Sequence, residues 1–135
     1  IDNNGLQRKV TLLGRVPQED LPLWFSRCSV FCLSSIWKSE AFAIVQVEAM
    51  SCGKPVVVTS IPGSGVSWVN EHGVSGLNVP VADPEALAKA IVDITSDAGT
   101  YGRYSSNALR RYEACFTLPA MVSGCMEKYE MILSN

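Results

Sequence analysis

The chain has 135 residues, of which 47% are hydrophobic, and its formal net charge is -2. That is one domain or part of one, with enough apolar residues for a core and no low-complexity tract that would favour disorder. The charge gives no electrostatic case for nucleic acid as a partner. No run approaches the roughly 18 apolar residues of a membrane span, and no signal peptide is expected.

In chain order, Val10 to Leu13 reads as a short apolar strand ending at Gly14. Pro17-Gln18-Glu19-Asp20 resembles a helix start, and Leu21, Trp24, Phe25 and Cys28 then recur at helical spacing. Trp24 and Phe25 are expected to pack on that helix face. Val30-Phe31-Cys32-Leu33 is a second buried strand closed by Ser34-Ser35. A short helix between Glu40 and Glu48 follows, with Gly53 suited to a left-handed cap and Pro55 ending it. Pro55 to Thr59 is a third strand, and Ile61-Pro62-Gly63-Ser64-Gly65 a loop before a helical turn at 66–69.

Beyond a turn from Gly73 to Gly76, Leu77-Asn78-Val79 is a fourth strand. Asp83-Pro84-Glu85 carries the cap, first-position proline and first-turn acid of a helix start. Leu87, Ala90, Ile91 and Ile94 are its apolar stripe, and 100–114 and 119–133 are two further helices. Apolar strands alternating with helices imply a Rossmann-like α/β fold, a parallel sheet with helices on both faces. Such sheets bind ligands at the carboxyl ends of their strands, where Gly14-Arg15, Ser34-Ser35 and Ser60-Ile61-Pro62-Gly63 stand. These small, polar or cationic residues suit a phosphate-bearing ligand.

The five cysteines, Cys28, Cys32, Cys52, Cys115 and Cys125, include no Cys-x-x-Cys pair and read as reduced, buried thiols of a cytoplasmic protein. With His72 the single histidine, no metal site is expected. His72 reads as a solvated loop residue, Lys54 as a solvated lysine pointing away from the site, and Trp68 as core or interface.

Glu40 and Glu48 bracket an apolar helix, where carboxylates need a partner or a ligand. Eight helical residues rise about 12 Å, close to the extent of a sugar, a diphosphate and a ribose. Glu40 suits hydroxyls of the sugar and Glu48 the ribose diol, while the first-turn amides of Phe42, Ala43 and Ile44 would meet the phosphates. The spacing fits a nucleotide diphosphate sugar. Residues so far apart do not make a glycosidase pair, whose carboxyls lie about 5–9.5 Å apart. The plain alternative is that Glu40 caps the helix and Glu48 is partly exposed. Likewise Val45 packs either against the ribose or in the core, and Arg15 is either a ligand residue or a solvated loop arginine.

The segment Ser39-Glu40-Ala41-Phe42-Ala43-Ile44-Val45-Gln46-Val47-Glu48-Ala49-Met50-Ser51-Cys52-Gly53-Lys54-Pro55-Val56-Val57-Val58 resembles the Glu-x7-Glu donor signature of the retaining group 1 glycosyltransferases (family 4, GT-B fold). Val10 to Val16 resembles that family's nucleobase-contacting strand end, and Ile61 to Gly65 and Gly76 to Leu87 match later landmarks. The resemblance implies donor contacts from Gly14, Arg15, Val16, Glu40, Ala41, Phe42, Ala43, Ile44, Val45 and Glu48, with Glu40 the catalytic residue and no metal or other cofactor. The nucleotide diphosphate sugar, GDP-mannose-like or a UDP-sugar, is the co-substrate. The wording of the motifs is similar to bacterial surface-polysaccharide members, which act on glycan or lipid-linked acceptors at the inner membrane face. Ala43 stands where the family usually has glycine, which puts donor placement in doubt unless the backbone there is helical.

The resemblance also implies that 1–135 is a partial carboxyl-terminal domain. Its first two strand–helix units, including a cationic pair for the diphosphate, and the amino-terminal acceptor domain are absent, so this fragment alone is expected to be inactive. The Val10 and Val30 strands should then pair directly or exchange with a neighbouring molecule. A non-catalytic nucleotide or nucleotide-sugar binding module, or a remnant without ligand, are the alternative readings.

Overall fold

The computed structural model describes residues 1–134. Three parallel strands, β1 (Phe31–Leu33), β2 (Val56–Ser60) and β3 (Gly76–Pro80), form one sheet in sequence order. Phe31 pairs with Val56, and Val56 in turn with Gly76. The second pairing demands glycine, since a Cβ at Gly76 would stand 1.9 Å from the Val56 carbonyl oxygen.

Side-chain alternation along β2 divides the core in two. Val56 and Val58 face a cluster built from Phe25 of α1 (Leu21–Arg27), Ala49 and Met50 of α2 (Ile44–Ser51), Val66 and Val69 of α3 (Val66–Val69), and Ala108 of a long helix below. Val57 faces the other way, onto Ala90 and Ile94 of α4 (Pro84–Thr95) and Tyr104 of α5 (Ala98–Cys115). α5 therefore serves both cores, Ala108 on one side and Tyr104 on the other. α6 (Leu118–Leu133) follows, touching α5 and exposing most of its residues.

Caps set the helix starts, Asp83 as the sequence implies and Asp97 and Thr117 beyond it, so that α5 starts at Ala98, two residues before the expected 100. The Asp83 carboxylate accepts from the Ala86 amide at 2.8 Å, Asp97 from Thr100 at 2.9 Å, and the Thr117 hydroxyl from Ala120 at 3.3 Å. The amide bond holds the Asp97 carboxyl below the usual carboxylate range. Gly53, left-handed at φ 65°, ends α2 as expected.

Several expectations are corrected. Residues 10–13 form no strand and make no pairing with β1; Leu12 is 82% exposed. A short apolar run without a neighbour to take its N–H and C=O groups gains nothing by extending. β1 is therefore an edge, half-buried at Phe31 and Leu33 and exposed at Cys32, because α4 lies over β2 and β3. Burial of all five thiols fails too: Cys32, Cys115 and Cys125 are exposed and Cys28 and Cys52 half-buried, all five unbridged. Burial nonetheless pushes the Cys28 thiol upward, against the opposing pull of Lys54.

The remaining corrections concern single side chains. Phe25 is buried, but Trp24 is exposed beneath the Arg27 guanidinium, 5.7 Å from its ring centre. Trp68 is 61% exposed, which removes the core alternative and leaves the interface one untouched. Lys54 is not free in solvent, for its ammonium donates to the Ser26 carbonyl at 2.8 Å and ties α1 to the turn after α2. His72 is exposed, yet its Nδ1 accepts the Asn78 amide at 2.9 Å.

Candidate functional site

All three strands run the same way, so the loops after them, 34–43, 61–65 and 81–83, meet at one edge. The start of α2 opens onto that edge. The helix begins at Ile44, four residues later than Glu40, because Ala43 takes a left-handed backbone (φ 62°, ψ 69°) and caps it. This corrects the expected helix. Glu40 lies on a loop, Glu48 within α2, and only the four steps from Ile44 to Glu48 are helical, a rise of about 6 Å.

The loop is pinned from below through its carbonyls. The Glu40 carbonyl accepts the Ser64 hydroxyl, the Ala41 carbonyl accepts the Gly65 amide at 2.7 Å, and the Phe42 carbonyl accepts the Gln46 side-chain amide at 3.0 Å. Gly65 has to be small here, since a Cβ would come within 2.9 Å of the Ala41 oxygen. With three successive carbonyls engaged, the amides of Ala41, Phe42, Ala43, Ile44 and Val45 have no acceptor among the described residues. A left-handed residue followed by right-handed helix turns successive N–H groups into one concavity, an arrangement that binds anions. The helix dipole adds to it.

Ala43 is therefore neither helical nor relaxed. It occupies the conformation glycine takes freely, at a cost to alanine of about 1–2 kcal/mol, and its methyl is buried.

The side chains around this amide row divide into two lobes. On one, the half-buried Glu40 lines a cleft of about 370 Å³ with Ser34, Ser35, Ile36, Trp37 and Ser39, and Ser35 donates to its Oε2 at 3.5 Å. Lys38 folds over Gly63, its Nζ 3.2 Å from where a Cβ would stand. On the other, the half-buried Glu48 lines a cleft of about 290 Å³ with Gln18, Leu21, Pro22, Phe25, Ser51 and Cys52. Gln18 and Leu21 also wall the larger hollow of about 550 Å³ that holds Arg15 and Val16. Gln18 and Leu21 thus border both the hollow with Arg15 and Val16 and the cleft with Glu48, and none of these residues lines the cleft of Glu40. Gly14 sits in open space at φ 65°.

Other candidates face elsewhere. Phe42 turns its ring onto Trp68 and Phe116, at 6.3 and 6.1 Å. Ile44 is exposed, and Val45 packs against the first core. Sequence reasoning passed over Ser64, whose hydroxyl holds Glu40 and also accepts the Val66 amide at 3.2 Å. It passed over Gln46 as well, the one fully buried amide side chain in a helix read as apolar. Its uncharged polarity in that run was the available signal. Among the described residues no group of three His, Cys, Asp or Glu side chains could hold a metal ion, and no helix is long and apolar enough to cross a membrane.

An open parallel sheet with its free amides and carboxylates at the carboxyl edge is the Rossmann-like class of α/β domain. The profile of the family "Glycosyl transferases group 1" matches residues 1–111, and the chain belongs to that family. It is 31% identical over 126 residues to O-antigen chain mannosyltransferase C of Escherichia coli, covering 93% of this chain and 34% of the relative. To a D-rhamnosyltransferase of Pseudomonas aeruginosa it is 34% identical over 110 residues, 82% of this chain and 29% of that protein. The fold matches Anabaena HepE in complex with UDP-glucose at a TM-score of 0.81, with 28% identity over 96% of this chain and 34% of HepE. Sucrose-phosphate synthase of Thermosynechococcus elongatus also matches at 0.81, with 28% identity over 98% of this chain and 32% of the synthase. These neighbours are GT-B glycosyltransferases, and the chain spans about a third of the length of the relatives it matches.

Proposed function

We propose that these residues are the donor-binding part of a retaining glycosyltransferase that moves a hexose from a nucleotide diphosphate sugar to a glycan or lipid-linked acceptor in bacterial surface-polysaccharide synthesis. The observation that carries this reading is the run of unpartnered amides from Ala41 to Val45, set between a lobe with Glu40 and a lobe with Glu48. Phosphate oxygens accept from the amides; Glu48 accepts from the ribose diol beside Arg15 and Val16, which with Gly14 border the base. Glu40 accepts from hydroxyls of the transferred sugar. As the bond from the anomeric carbon to the phosphate oxygen breaks, the amides stabilise the charge gathering on the diphosphate. The acceptor hydroxyl passes its proton to the departing phosphate oxygen as its own oxygen bonds to the face the diphosphate leaves, so the anomeric configuration is retained; the amides take the place of a metal in this reading.

Support for a sugar nucleotide comes from the likeness to HepE with its bound UDP-glucose, and for a mannosyl group as the transferred sugar from the E. coli mannosyltransferase. On this reading 1–135 is a partial carboxyl-terminal domain. The acceptor site and a cationic grip on the diphosphate lie outside it, and the whole protein works in the cytoplasm at the inner membrane face.

Titration calorimetry of the full-length protein with UDP, GDP and their hexose conjugates tests the assignment. Glu48→Ala should weaken nucleotide binding about 10-fold or more, the worth of a charge-assisted hydrogen bond, and Lys54→Ala should leave it nearly unchanged. Equal effects of the two substitutions would remove the ribose role from Glu48. Nucleotide-sugar binding without transfer to any acceptor would favour a non-catalytic binding module.

A further inference from the structure

Gln46 is 0% exposed, and it lies one turn into the helix that opens the amide row. Its Nε2 donates twice, to the Phe42 carbonyl at 3.0 Å and to the Val66 carbonyl at 3.2 Å. Its Oε1 is buried and has no partner. Turning the amide round would set the oxygen against two carbonyls, so the orientation is fixed by chemistry. An orphaned buried acceptor weakens a fold, and an apolar side chain of the same volume would fill the space without it. Packing therefore does not account for an amide at this position. Its donor does: the bond to Phe42 fixes the plane of the peptide that carries the Ala43 N–H, and the bond to Val66 anchors that peptide to α3. The same peptide leads into a left-handed alanine, which has no intrinsic preference for its conformation and must be held there.

We propose that Gln46 is a positioning residue for the diphosphate, holding the Phe42–Ala43 peptide so that the amides of Ala43, Ile44 and Val45 converge on its oxygens. It touches no ligand itself. This rests on the reading of the amide row as the phosphate site, and a separate arm of the test addresses that reading.

The full-length protein is titrated with pyrophosphate and, separately, with UDP and GDP, following the backbone amide NMR signals of Ile44 and Val45. In the native protein both signals should move with either type of ligand. Gln46→Met keeps volume and removes the donor; it should weaken pyrophosphate and nucleoside diphosphate binding about 10-fold and leave the melting temperature within a few degrees. Gln46→Glu keeps shape but sets a carboxylate against the Phe42 and Val66 carbonyls, and should weaken binding further. Unchanged pyrophosphate affinity in folded Gln46→Met overturns the proposal, as does a native protein whose Ile44 and Val45 signals ignore pyrophosphate. If Gln46→Met does not fold, the packing argument is wrong and the proposal falls with it. A native protein that answers to pyrophosphate but to neither nucleotide, with Gln46→Met impaired, supports the role of Gln46 and overturns the nucleotide reading alone.

Discussion

Ala43 carries the clearest consequence for a single residue. Its left-handed backbone costs alanine about 1–2 kcal/mol, partly offset by burial of a methyl worth about 0.8 kcal/mol. Ala43→Gly should therefore raise stability modestly, by up to about 1 kcal/mol in urea unfolding. Ala82→Gly, at the exposed left-handed alanine before α4, loses no packing and should gain at least as much. A loss of stability in both would mean that these conformations carry no strain. The sequence marked position 43 as a departure from glycine, but the direction of its backbone was set elsewhere. Three donors from residues 46, 64 and 65 hold the carbonyls around it, and only one of them is near in sequence.

Among the elements, α5 binds the molecule together. Arg111, its side chain largely buried, donates from Nε to the Val69 carbonyl at 2.6 Å, from a terminal nitrogen to the Trp68 carbonyl, and from another to Glu71 at 2.9 Å. It thereby caps the carbonyl end of α3, the helix to which Gln46 anchors the site loop. Arg111→Ala should cost about 2–3 kcal/mol, in the range for hydrogen bonds to a charged group, read as a lowered midpoint in denaturant. A change under about 0.5 kcal/mol would place Arg111 among ordinary surface residues. The start of α4 was legible from its Asp83 cap, because caps are local, whereas the Asp97 cap went unread and the α5 start was placed two residues late. The partner of α5 was not legible, because the spacing of Arg111 within its helix carries no information about α3.

At the scale of the whole molecule, two features stand apart from a closed fold. The outer edge of β1 is unpaired, and α6 exposes Leu118, Met121, Val122, Met126, Tyr129, Ile132 and Leu133. Open strand edges and large apolar patches favour association. The 135-residue chain on its own should self-associate, with a mass above its 14.6 kDa in sedimentation at about 100 µM. A monomer at that concentration would show that the β1 edge is not exchanged between molecules. Sequence by itself determined the order of elements from β1 to α6 and the Asp83 cap of α4, since periodicity, capping and turn chemistry act between near neighbours. Tertiary structure alone decided that residues 10–13 form no strand and that α2 starts at Ile44. Each depends on whether a backbone group finds its partner across the fold, and that partner lies far along the chain.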